Sequence, residues 1–140
     1  MVVTHLNVAS NMVSAVERLV GRLPAVVGVD LQVDESLENL RDKIAASLSE
    51  CRKNCPEPVD GFVIMTDLFG STPTNAALSQ VTVPGVQVEI LTGVNMPMLV
   101  SALVNRSRML LPDLVRKIGA DGVKGIQDAK AVLLARMGGR

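Results

Sequence analysis

Aromatic residues are almost missing from this chain: two Phe, no Tyr and no Trp in 140 residues. The core must therefore be built from Val, Leu, Ile, Ala and Met. An excess of either charge is missing too. Lys+Arg and Asp+Glu number 14 each, so the formal net charge is zero. That argues against a nucleic-acid or anionic-membrane binder, since both need a basic excess. No apolar run approaches the roughly 20 residues of a membrane span. Met1 leads straight into Val2-Val3-Thr4, without the basic region and small-residue site of a signal peptide. A cytoplasmic protein is expected. Histidine occurs once and cysteine twice. That is too thin a ligand set for a metal centre, so Cys51 and Cys55 are expected as reduced thiols on one helix. There is no Gly-x-Ser-x-Gly elbow for a serine hydrolase and no Gly-rich loop with Lys for a nucleotide. No cofactor is expected.

What is present is an alternation of apolar segments. Val2-Val3-Thr4 reads as a short strand ending at His5. Val8, Met12, Ala15, Val16, Leu19 and Leu23 then mark one face of a helix, closed by Gly21 and Pro24. Val26–Val33 reads as a second strand. Leu37, Leu40, Ile44, Leu48, Cys51 and Cys55 form a stripe at steps of three and four, predicting a helix over Ser36–Asn54 that Cys-Pro-Glu-Pro stops. Val59–Thr66 is the third strand and Pro73–Gln80 a short helix. Val86–Thr92 is the fourth strand, and Asn95 caps a helix with Pro97 in its first turn. Leu110–Ile118 is a further helix. Gly122–Gln127 reads as a short last strand, and residues 128–140 as a weakly helical tail fraying at Gly138-Gly139. Strands alternating with helices predict one doubly wound, mainly parallel α/β domain over residues 1–127, with helices on both faces.

In such sheets ligands bind beyond the carboxyl ends of the strands, where the strand order switches. Three predicted strands end alike, at Thr4-His5, Thr66-Asp67 and Thr92-Gly93. If they run parallel, His5, Asp67 and the loop Gly93–Pro97 meet at one edge. A free imidazole titrates near pH 6.5, so a neutral fraction with a nucleophilic nitrogen exists at neutral pH. Its other nitrogen needs a carboxylate to fix the tautomer and offset developing charge; Asp67 is the candidate. Gly70, Ser71 and Thr72 follow, with Pro73 at a helix start. Hydroxyls and free N–H groups there suit a phosphoryl group. Each residue also has a plain structural alternative: His5 as a surface residue, Asp67 as a turn cap, Ser71-Thr72-Pro73 as an ordinary helix start.

Three motifs in this order resemble a known family: Thr4-His5 near the amino terminus, Thr66-Asp67-Leu68-Phe69-Gly70-Ser71-Thr72-Pro73-Thr74-Asn75, and Gly93-Val94-Asn95-Met96-Pro97-Met98-Leu99. The chain from His5 to about Ile126 is similar to the IIA component of the mannose-family bacterial phosphotransferase system. The resemblance implies that His5 takes a phosphoryl group from the carrier HPr and passes it to a IIB component for coupled sugar uptake. It implies that Asp67 hydrogen-bonds His5, that Ser71 and Thr72 line the phosphate pocket, and that Phe69, Asn95 and Met96 border the partner surface. It also implies a homodimer exchanging the strand Gly122–Gln127, which meets membrane IIC and IID components only through its partners. The sequence departs from the family at Leu6 and Ser71, where glycine is usual, and its first strand is short. These departures raise an alternative, a regulatory module that senses phosphorylation without feeding a transporter.

Overall fold

Neighbouring residues of the two middle strands face different cores, which is why their sequences are continuously apolar rather than alternating. The computed structural model describes residues 1–138 apart from 23, 56, 57 and 86. Leu23, Pro56, Glu57, Val86 and Gly139, all invoked by the sequence reading, lie outside the described residues. Four strands form one all-parallel sheet: β1 (Val2–His5), β2 (Gly28–Leu31), β3 (Phe62–Thr66) and β4 (Val88–Thr92), in the order β2-β1-β3-β4. The chain winds outward from β1 to β2, crosses back to β3, and winds outward again to β4. The switch in direction falls between β1 and β3.

Val2 and Met65 point to a core closed by three helices, α1 (Val8–Val20), α4 (Met96–Asn105) and α5 (Leu111–Lys124), through Val16, Leu99 and Ile118. Val3 and Ile64 point to the opposite core, closed by α2 (Leu37–Asn54) and α3 (Thr72–Leu78) through Leu40, Ile44 and Ala76. The doubly wound α/β architecture expected from the pattern is therefore observed. Cys51 and Cys55 are free thiols at the end of α2. Among the described residues no helix is long and apolar enough to cross a membrane.

β1 pairs on both sides despite its four residues, with β2 from Val2↔Gly28 to His5↔Leu31 and with β3 at Val2↔Met65 and Val3↔Thr66. Its length also trims β2, which was expected over Val26–Val33 but has backbone partners only where β1 supplies them. At the start of β2, Gly28 lies under α1: a Cβ there would meet the Ala9 carbonyl carbon at 2.7 Å.

The carboxyl end corrects one expectation. Gly122–Gln127 is no strand in this chain. Gly122–Lys124 is the last turn of α5, and the Gly125 N–H donates back to the Asp121 carbonyl. The glycines that suggested strand boundaries serve close helix packing instead. A Cβ on Gly122 would meet Met98 Cγ at 2.5 Å, and one on Gly125 would meet Pro97 Cγ at 2.3 Å. A final helix, α6 (Ala129–Gly138), follows; its residues 129–137 are exposed.

Candidate functional site

β1 and β3 end side by side, and their last side chains meet. His5 Nδ1 lies 2.7 Å from Asp67 Oδ2, and the His5 backbone N–H donates to the same oxygen at 2.9 Å. The pairing follows from register. With Val3 opposite Thr66, the residue after β3 stands beside the end of β1, and its carboxylate takes the N–H that no further strand residue reaches. The other carboxylate oxygen accepts from the Leu68 N–H at 2.8 Å. Burial pushes the Asp67 carboxyl up, but the hydrogen bonds from the His5 N–H, the His5 ring and the Leu68 N–H outweigh it, and the carboxyl is held below its ordinary value. An ionised Asp67 accepts from Nδ1–H. That leaves the lone pair of His5 on Nε2. The imidazole side chain is 42% exposed and the carboxylate 20%, so the ring faces solvent while its partner is mostly covered.

The turn after Asp67 is held by one carbonyl. Leu68 O accepts from Ser71 N at 3.2 Å, Ser71 Oγ at 2.7 Å and Thr74 Oγ1 at 2.6 Å. Gly70 carries the left-handed step of this turn, at φ +77°, while Ser71 is extended at φ −77°. Serine in place of the family's second glycine is therefore unstrained. Ser71 and Thr72 stand at the start of α3, on the edge where Asp67 lies. The other departure does fall on a demanding position: Leu6 has φ +51°.

The third loop joins the same edge. Gly93 N–H donates to the Asp67 carbonyl and Val94 N–H to the Thr66 carbonyl, both at 3.0 Å. The convergence of three strand ends expected from topology is thus present. No cluster of metal-ligating side chains occurs among the described residues.

Residues 1–119 match the model of a family described as PTS system fructose IIA component, EIIA-man. The chain belongs to this IIA family. It is 31% identical over 128 residues to the PTS system mannose-specific EIIAB component of Escherichia coli (strain K12), covering 89% of this chain and 38% of that protein. It is 28% identical over 102 residues to the PTS system fructose-specific EIIA component of Bacillus subtilis (strain 168), covering 73% of this chain and 66% of that one. The crystal structure of phosphotransferase system component EIIA from Streptococcus agalactiae superposes with a TM-score of 0.82 at 25% identity, over 93% of this chain and 95% of its own. The chain spans 38% of the length of the mannose-specific relative it matches.

On this IIA domain the remaining predicted residues separate into two kinds. Phe69 projects from the turn and is 87% exposed. Met96 lines a shallow groove of about 450 Å³ together with Leu6, Val8 and Met12. Asn95 is committed within the domain: its side-chain oxygen caps α4 by accepting from the Met98 N–H at 3.1 Å, and its amide donates to the Gly93 and Gly122 carbonyls. Sequence reasoning passed over Thr66 and Thr74, whose hydroxyls lie 2.8 Å apart beneath the turn. Two threonines flanking a loop were the only signal for them.

Proposed function

We propose that this domain is a phosphoryl carrier of a sugar phosphotransferase system, with His5 as the residue that carries the group. The observation that carries the reading is the 2.7 Å contact between His5 Nδ1 and Asp67 Oδ2, within a chain of the IIA family. In the proposed step the Nε2 lone pair attacks phosphorus on a phosphorylated HPr. The new P–Nε2 bond forms as the donor's P–N bond breaks, and its electron pair leaves with the donor. The Nδ1 proton stays donated to Asp67, whose negative charge offsets the positive charge appearing on the ring. Transfer onward to a IIB component is the same displacement with His5 as leaving group.

Ser71 and Thr72 are proposed to face the phosphoryl oxygens from the start of α3. Phe69 and Met96 are proposed to border the docked partner, with Asn95 holding the loop that presents Met96. The proposed setting is the cytoplasm, with any membrane components reached only through partners.

The test is incubation of the whole chain with phosphorylated HPr, followed by mass spectrometry. An acid-labile phosphoryl adduct is expected on the wild type and not on His5→Ala. In Asp67→Asn the rate should fall by about 10²-fold or more, the order seen when a charge-stabilising partner is removed. No adduct on the wild type overturns the reading. An adduct that forms but is never passed to any IIB component favours the regulatory alternative.

A further inference from the structure

We propose that Thr74 is a positioning residue of the transfer: by holding the Leu68 carbonyl it keeps the Asp67 carboxylate oriented, and so decides which His5 nitrogen is free to take the phosphoryl group. The inference rests on the function proposed above. Three contacts in series carry it. Thr74 Oγ1 donates to the Leu68 carbonyl at 2.6 Å, the Leu68 N–H donates to Asp67 Oδ1 at 2.8 Å, and Asp67 Oδ2 lies 2.7 Å from His5 Nδ1. A carboxylate turns easily about the bond that joins it to its own side chain. The Leu68 N–H pins one oxygen, so the other stays aimed at the His5 ring and the His5 backbone N–H. With Nδ1–H fixed on Oδ2 the lone pair stays on Nε2, because the hydrogen bond made by one ring nitrogen sets the state of the other.

Little else holds Leu68 in place. The side chains of Leu68 and Phe69 are both exposed, so burial of apolar surface does not anchor the turn. The two bonds from Ser71 to the Leu68 carbonyl close the turn on itself, across three residues. Gly93 fastens the Asp67 carbonyl, which precedes the Leu68 N–H along the chain. Thr74 fastens the carbonyl that follows it, so the N–H that meets Asp67 lies between two fixed points. Among the described residues, Thr74 is the one buried side chain that hydrogen-bonds residues 68–70. It is itself tied to the sheet, since its oxygen accepts from the Thr66 hydroxyl at the end of β3. Valine has nearly the same shape and would fill the same space. What the hydroxyl adds is the link from the interior to the turn, and through the turn to the reacting ring.

His5 is the only histidine, so nitrogen NMR of the full chain reads its ring without interference, at a pH of about 8 where an ordinary imidazole is neutral. Wild type is expected to carry the ring proton on Nδ1 alone, and Thr74→Val to show a mixture of the two protonated forms. With phosphorylated HPr as donor, Thr74→Val should lower kcat about tenfold and leave KM unchanged, because misaligned groups slow the step without weakening docking. Thr74→Ser, which keeps the hydroxyl, should restore both readings. Thr66→Val also loses a buried hydrogen bond but leaves Thr74 donating to Leu68, and should match wild type in both. Thr74→Ala replaces Thr74→Val in both readings if the valine variant does not fold. A mixed ring in wild type overturns the inference, as does a ring or a kcat unchanged by loss of the Thr74 hydroxyl. A change of equal size in Thr66→Val or Thr74→Ser overturns it too, since general loosening would then be the cause. A wild type that takes no phosphoryl group from HPr would instead remove the carrier reading, and the ring signals would still decide what Thr74 holds in place.

Discussion

Thr66 at the end of β3 and Thr74 in α3 share a buried hydrogen bond of 2.8 Å, and Thr74 donates its single hydroxyl proton to the Leu68 carbonyl at 2.6 Å. The direction of the chain follows: Thr66 must donate to Thr74. Both threonines are within 1% of full burial. Thr74→Val should therefore remove two hydrogen bonds and strand the Thr66 hydroxyl, costing about 1–3 kcal/mol. Thr66→Val removes only one and should cost less. Urea unfolding of the two variants checks the order; equal costs would mean that the relay does not run this way.

Asp67 ties stability to pH. Its folded carboxyl is held below its ordinary value by the His5 N–H, the His5 ring and the Leu68 N–H, against the upward push of burial. A carboxyl lowered on folding stabilises the protein above its unfolded value of about 3.9, and that stabilisation is lost as pH falls through the lower folded value. Wild type should thus exceed Asp67→Asn in urea midpoint at neutral pH. The gap should begin to narrow below about pH 4 and close as the pH falls through the lower folded value. A gap that is constant with pH would show that the carboxylate's charge is not what matters.

Gly28→Ala should be strongly destabilising for so small a change. The added methyl would meet backbone of α1, at 2.7 Å from the Ala9 carbonyl carbon and 2.8 Å from the Ser10 nitrogen. Backbone cannot swing aside as a side chain can, so overpacking of about 1–3 kcal/mol is expected. Thermal unfolding measures it.

Ending the chain after Gln127 should leave the domain nearly as stable as before. Residues 129–137 of α6 are all exposed, and α6 has no substantial packing against another element. The change in unfolding free energy should stay within about 0.5 kcal/mol, as for surface changes remote from core and caps. A larger loss, read from urea titration of the shortened chain, would mean that α6 packs in solution.

The sequence carried the alternation of strands and helices because continuous apolar runs at Phe62–Met65 and stripes such as Leu40-Ile44-Leu48 have distinct periods. It carried His5 and Asp67 because both end apolar strands, and a parallel sheet brings such ends together. It misled at Gly122–Gln127, where Val123 and Ile126 between glycines imitate a strand. The glycines are there to let α5 approach Met98 and Pro97, a reason that exists only once α4 is in place. The left-handed backbone of Leu6 was equally hidden, since nothing in a leucine announces positive φ. Strand bounds were overdrawn for a similar reason: β2 stops where β1 has no more residues to offer.

The sheet has a consequence for how damage spreads. Ile44 and Ile118 are both fully buried, yet they belong to separate cores on opposite faces of the four strands. Truncating either to alanine removes apolar contact on one face alone, so the two losses should simply sum in the double variant. The strand ends bearing His5 and Asp67 belong to both faces at once. Loosening from either side reaches them, and the contact between His5 and Asp67 reports on the integrity of the whole molecule rather than of one half.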